Sequence, residues 1–384
     1  MQPLVPTLGM LGALLAAPVG AEPFVPTDDA AILERLPRYP AASAAALRRS
    51  RAGANATDLA TALDMARAYF AEGQRSQDPR PIGYAQAALA PWWDDPEVPV
   101  EVLVLRAAIH QNRHRFAEAV SDLDAVLTRD QGNPQAWATR AAIELVQGEP
   151  ARALASCRGL HLAATICRAA AMARLGQARV ALALLDLTLA RAEALAPPLE
   201  LWARTELAEI ARILGEEAKA DRELRRAVAI EPRDAYALCA LADLLLDLDR
   251  PAEALALVEN EPAHDGKLLR ATIAGRRLDA PWWPGRAALL DERFAAATRR
   301  GDALHLREEA RYRLALRDEP AAALDLALLN WRDQKEVWDA RILLESAIAA
   351  RRPDAAEDVL AWLRRTGLDD TRLASLLARL EAEG

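Results

Sequence analysis

A chain of 384 residues that is 52% hydrophobic but only 5% aromatic, and rich in Ala, Leu and Arg, is too uniform for a mosaic of unrelated domains. Its formal net charge of -8 and pI near 5.4 supply no electrostatic reason to bind nucleic acid and favour solubility instead. Lys219, Lys267 and Lys335 are the only lysines among 48 basic residues, the bias of a GC-rich bacterial genome.

Leu8 to Val19 is an apolar run of about a dozen residues, too short to cross a bilayer core of roughly 30 Å as a helix. Val19-Gly20-Ala21 then presents small residues where a signal peptidase cuts. Residues 1–21 therefore read as a secretory signal, which makes the protein periplasmic or secreted with no membrane span after cleavage. An uncleaved segment would instead anchor it to the membrane. Across residues 22–56 a Pro-rich stretch precedes two short helices, the first capped by Thr27-Asp28-Asp29 and the second running Ala41 to Arg51; both suit an N-terminal extension covering the end of an array.

From Thr57, a plausible N-cap, the chain becomes repetitive. Met65-Ala66, Tyr69 and Gly73 form a first-helix pattern with a terminating glycine, and the second helix follows from Ile82 to Ala90. Pro91-Trp92-Trp93 breaks the pattern. Leu103, Ala107, Ala119 and Leu123 then recur 34 residues later as Trp137, Ala141, Ala153 and Cys157. The next copy comes early, with Gly148 answered by Gly176, a spacing of 28. The clearest pair sets Leu207-Ala208, Gly215, Ala220 and Leu224 against Leu241-Ala242, Asp249, Ala254 and Val258. Lys267 to Arg277 reads as a further first helix, its loop lengthened by Pro281-Trp282-Trp283-Pro284. Glu309-Ala310, Ala322 and Leu326 recur at 34 as Leu343-Leu344, Ala356 and Leu360. Thr371 to Glu381 is a last amphipathic helix, and residues 369–384 read as a C-terminal cap.

Small residues, a terminating glycine and a restarting proline that recur together at 34 resemble the tetratricopeptide repeat family, over residues 57–368 in about nine copies. The resemblance implies an all-α fold, a right-handed superhelical solenoid of antiparallel helix pairs. Cys157 then lies in the second helix of one copy and Cys167 in the first helix of the next. In an oxidising compartment the two can form a disulfide; otherwise both are small buried apolar residues.

No chemical motif announces an enzyme: there is no glycine-rich phosphate loop, no HExxH, no Gly-x-Ser-x-Gly and no CxxC. His110 and His114 share a helix face, yet no third metal ligand stands nearby, so no metal and no cofactor is expected. Arg300-Gly301-Asp302 reads as a helix end and Asn55-Ala56-Thr57 as a helix cap. The doublets Trp92-Trp93 and Trp282-Trp283 sit in long loops, either to bind a partner or to staple those loops onto the array.

In the family resembled, first helices line a concave surface that receives a peptide or a partner's helix. Here the corresponding stripe comprises Trp202, Thr205, Glu209 and Arg212, then Tyr236, Cys239, Asp243 and Leu246. It continues through Arg276, Arg307 and Arg311 to Trp338, Arg341 and Glu345. Aromatic at one edge, acidic in the middle and basic toward the C-terminus, it suits a peptide of both charge signs with an apolar anchor, or else is a solvated charged face. The expectation is a non-catalytic adaptor for a protein or peptide partner in the bacterial periplasm. The alternatives are an architectural spacer, or a small-molecule, glycan-binding or enzymatic protein with its site around residues 279–302.

Overall fold

The computed structural model describes residues 58–76, 78–95, 97–159, 163–192, 195–259, 264–300 and 305–383, with 26–28, 30 and 32 ahead of them. The expected signal segment, the second N-terminal helix, most of the first and the Thr57 cap lie outside these; at the start of that N-terminal helix, Asp28 accepts from the Ala30 N–H at 2.9 Å. Asp58 caps the first helix, accepting from the Thr61 N–H at 2.9 Å.

The fold is all-α, with no strand among the described residues, and tetratricopeptide-like in its arrangement of antiparallel helix pairs. The pairs are α1 (Leu59–Ser76) with α2 (Pro79–Ala88) and, after the single turn α3 (Ala90–Trp93), α4 (Val100–Asn112) with α5 (Phe116–Arg129). Then come α6 (Pro134–Val146) with α7 (Pro150–Ser156), α8 (Ala163–Met172) with α9 (Ala178–Arg191), and α10 (Pro197–Ile213) with α11 (Glu217–Ile230). The series continues through α12 (Ala235–Asp247) with α13 (Pro251–Val258), α14 (Asp265–Arg277) with α15 (Trp283–Arg299), and α16 (Leu306–Leu316) with α17 (Pro320–Trp331). It ends in α18 (Val337–Ala349) with α19 (Glu357–Thr366), and α20 (Thr371–Glu383). No described helix is long and apolar enough to cross a membrane.

What makes the array regular is the way first helices stop. His114, Gly148, Gly176, Gly215, Asp249, Asp279, Asp318 and Arg351 all have positive φ, one at each turn between the paired helices from α4 onward. At most of them the next N–H reaches back five residues, as from Glu149 to Glu144, Glu216 to Ala211 and Arg250 to Leu245, each at 2.8 Å. This is the Schellman closure, which satisfies carbonyls the helix end would orphan. Gly73 departs from the expected role: α1 continues past it to Ser76. Gly73 is instead a packing position, since a Cβ there would lie 2.5 Å from Ile82 Cδ1.

Small residues sit where helices cross. Ala208, Ala220, Ala242 and Ala254 are all 0% exposed. The apolar core falls into two large clusters, one from Leu63 to Ile143 and one from Ile166 to Leu380. A small cluster of Ala141, Cys157, Ala164 and Cys167 lies in the seam between them, with Trp137 and Trp202 packed against it. There Cys157 and Cys167 are joined by a disulfide with Cα atoms 5.7 Å apart, tying α7's end to α8 where apolar contact is thinnest. Cys239 is free and buried.

The array curls until its C-terminal pairs rest on the turns of earlier ones. The Lys335 N–H donates to Val146 O at 2.7 Å, and Trp362 Nε1 donates to Gly148 O at 3.1 Å across 214 residues of sequence. Thr371 packs beside Gly215, where a Cβ would stand 3.2 Å from its hydroxyl. The superhelix is thereby closed on itself. First helices that would line an open groove instead face one another.

Candidate functional site: the inner face of the helical array

Closure decides the fate of the charged stripe. Asp243, on α12 and 3% exposed, accepts from Arg270 Nη2 at 2.7 Å and from Arg311 Nη1 at 2.5 Å. Burial alone would raise its pKa, but the two guanidinium groups overcome that and hold the carboxyl well below the usual range. One turn on, Asp247 accepts from Arg212 at 2.8 Å and from both terminal nitrogens of Arg341 at 2.7 and 2.8 Å. Trp338 stands at the centre, with the guanidinium carbons of Arg212, Arg341, Arg372 and Arg311 at 4.5, 5.1, 5.6 and 5.9 Å from its ring. Stacking cations on an indole face is favourable, and more so away from water. Beside this cluster a cavity of about 330 Å³ opens between α10, α12, α18 and α20, reaching Arg379 and Glu217.

The structure thus brings together Arg212, Asp243, Arg311, Trp338 and Arg341 as an internal lock. Arg307 lies nearby, 3.5 Å from Asp339 and 3.4 Å from Glu308. Arg276 does not join them. It donates to Ala315 O at 2.6 Å and pairs with Asp318, gripping the next turn of the array.

At the other end of the stripe the side chains are less fully paired. Tyr236 is 51% exposed and Trp202 half-buried. Glu209, 7% exposed, has an Oε1 that accepts no hydrogen bond and comes no closer than 4.0 Å to Arg212. Glu206, a turn earlier on the same face, also leaves Oε2 without a hydrogen bond. Arg174, on the turn after α8, is 3.5 Å from Glu206 and 3.9 Å from Glu336 at the start of α18. Burial raises the pKa of Glu206 and of Glu336 beyond what Arg174 offsets. Arg174 thus serves two of these carboxylates, and Glu209's nearest cation, Arg212, is at 4.0 Å and already bonded to Asp247.

The remaining candidates make contacts within the array. Both tryptophan doublets belong to helical turns, in contrast to the expected loops: Trp92-Trp93 close the turn α3 behind Pro91, and Trp282-Trp283 open α15, with each proline in a first helical turn, where a missing N–H costs nothing. Trp93 lies 5.5 Å from the His110 ring and takes Arg106 on its carbonyl. Trp282 covers Gly275, where a Cβ would meet it at 2.4 Å, and stacks under Arg286 at 4.1 Å. His110 faces Trp93 and Asp122, whereas His114 stacks on Phe116 and meets Gln334 at 3.3 Å. Among the described residues no group of His, Cys, Asp and Glu could hold a metal.

Sequence reading missed Arg174, Glu206, Asp247, Arg270, Glu336 and Arg372. Asp247 and Glu206 were within reach, standing four residues after Asp243 and three before Glu209 on the same helical faces. Arg174, Glu336 and Arg372 carry no such signal, because their partners come from distant repeats.

No family model and no curated protein matches the chain. Solved structures do. A tetratricopeptide repeat protein from Parabacteroides merdae is 15% identical, with 74% of this chain and 97% of that one covered, at a TM-score of 0.36. A Rap protein complexed with Competence and Sporulation Factor is 12% identical over 85% and 99%, at 0.47. The Cut9–Hcn1 hetero-tetramer of the APC/C is 12% identical over 88% and 86%, at 0.41. These are similarities of helical-repeat architecture.

Proposed function

We propose that the protein is a non-catalytic scaffold that binds a protein or peptide partner on the inner face of its helical array, in the bacterial periplasm. The observation that carries this reading is the half-exposed Tyr236 on α12 together with Trp202 and Glu209 on one face of α10, where the buried Oε1 of Glu209 accepts no hydrogen bond. Aromatic side chains on rigid helices contribute contact area at little ordering cost. An apolar run at Leu8 to Val19 and a disulfide between Cys157 and Cys167 both support export, since disulfides persist in oxidising compartments. Net charge of -8 favours a protein partner over nucleic acid.

Affinity capture from an envelope extract tests the reading. Wild type is expected to retain a defined protein that a Trp202→Ala, Tyr236→Ala variant of unchanged melting temperature does not. Equal capture by both proteins would remove the inner face from consideration. Recovery of the mature chain beginning at Glu22 from the periplasmic fraction tests its location.

A further inference from the structure

The two ends of the inner stripe differ in a way that restricts what can bind. Toward α16 and α18 every carboxylate of the lock has its arginine, and Asp243 and Asp247 each hold two. Toward α10 the balance reverses. Glu206 and Glu209 lie on one face of α10, and Glu336 approaches from α18; Arg174 is shared by Glu206 and Glu336, and Glu209 has only Arg212 at 4.0 Å, an arginine that Asp247 holds at 2.8 Å. The carboxylate Glu209 is nine-tenths buried and its Oε1 has no hydrogen-bond partner. Leaving a buried anionic oxygen unsatisfied is costly unless another group completes it. Tyr236, within the electrostatic reach of Glu209, Glu206 and Glu336, is 51% exposed. A cation that enters beside Tyr236 meets an aromatic side chain and unspent acceptors together.

We infer that this corner of the inner face is a recognition subsite for a cationic side chain, arginine or lysine, carried on an extended segment of the partner next to an apolar residue. The inference rests on the proposed scaffold function and specifies the partner's chemistry. A guanidinium or ammonium group lies against Tyr236 and donates to Glu209 and Glu206, while the neighbouring apolar residue packs toward Trp202. An acidic segment is rejected, because it would add like charge to carboxylates already in excess.

The test is fluorescence anisotropy with the full chain and two labelled hexapeptides: Gly-Phe-Arg-Ala-Arg-Gly, and the same peptide with both arginines replaced by glutamate. The basic peptide is expected to bind, to weaken as salt rises to about 0.5 M, and to lose about tenfold or more in affinity in Glu206→Gln, Glu209→Gln, as removal of charge-assisted hydrogen bonds requires. Tyr236→Ala, at an exposed position that leaves the fold intact, is expected to weaken binding as well. Equal binding of the acidic peptide, equal affinity in the double variant and in Tyr236→Ala, or no binding of the basic peptide at millimolar concentration would each overturn the inference. A partner captured through Trp202 and Tyr236 whose binding segment holds no arginine or lysine would overturn it too, and leave the scaffold function standing.

Discussion

Gly176 and Gly367 meet across the closure of the array, so closely that a Cβ on Gly176 would lie 2.3 Å from the carbonyl oxygen of Gly367. Both have positive φ, 74° and 70°. Gly176→Ala therefore pays twice, through a left-handed backbone that disfavours a side chain and through contact with a carbonyl that cannot move without shifting the α19–α20 turn. It is expected to lower stability by at least about 2 kcal/mol, read as the urea midpoint. Gly285→Ala is the control, because nothing lies within 4 Å of a Cβ there. A loss of only about 1 kcal/mol, the cost of the left-handed backbone alone, would mean that the closure is absent in solution.

Asp243 is the keystone of the internal lock. Removing it leaves Arg270 and Arg311 as buried cations without their shared partner, and Asp243→Ala should cost about 3 to 5 kcal/mol. By contrast Asp64, whose side chain is 82% exposed beside Arg67, contributes little, and Asp64→Ala should leave the midpoint where it is. Chemical denaturation of the two variants side by side checks the difference.

Helix crossings give a second contrast. Ala220 is 0% exposed and Ala218 is exposed, on the same turn of α11. Ala220→Leu should cost about 1 to 3 kcal/mol through overpacking. Ala218→Leu should change the melting temperature hardly at all, which differential scanning calorimetry would show.

Acid sensitivity follows from His114. Burial, helped by Arg307 and His305, lowers its pKa from 6.5 to about 4. A histidine that titrates at 6.5 unfolded but near 4 folded binds its proton more tightly in the unfolded chain between those values. Its effect is absent above pH 6.5, grows as pH falls through that value, and levels off near pH 4. Stability should accordingly fall between pH 7 and 4.5, and His114→Asn, which tolerates the positive φ of 56° at this site, should flatten the slope. Urea midpoints at half-unit pH intervals would measure it. An unchanged slope in the variant would assign the acid sensitivity elsewhere.

The disulfide has its own signature. Reduction, or Cys167→Ser, should destabilise by about 2 to 4 kcal/mol. Because the bridge spans the seam between two apolar clusters, hydrogen exchange should quicken first in α7 and α8. Uniform quickening along the chain would contradict that placement.

Local rules carried the architecture. The spacing of Ala208, Ala220, Ala242 and Ala254 gave the crossings, and Gly148, Gly176 and Gly215 gave the turns, because helix ends and helix contacts between neighbours are written within a few residues of where they act. Asp249 standing in line with Gly215 was a legible hint that a carboxylate can serve as the left-handed cap. Gly73 misled, since a buried glycine against Ile82 has the same letter as a glycine that ends a helix. The inner face was legible as a set of residues and illegible as a set of partners. Arg212 and Trp338 are both visible as stripe positions, but nothing in a periodic sequence states how far the array curls, and that curvature alone brings them to 4.5 Å. The same ignorance hid Arg174 and Glu336. Whether a charged stripe faces solvent or itself depends on the accumulated rotation of many repeats, a global quantity to which each repeat adds little.

The closure also sets an order of events. Each helix pair draws its contacts from its neighbours, so it can form as soon as it leaves the ribosome. Lys335, Trp362 and Thr371 are made after the turns at Val146, Gly148 and Gly215 on which they rest. Until they arrive, the nascent chain is an open spiral whose inner charges are wet and whose middle turns are bare. The final segment closes the growing coil onto its own middle turns, and a stall before Lys335 would leave every helix pair from α1 to α17 formed and Asp247 still without Arg341.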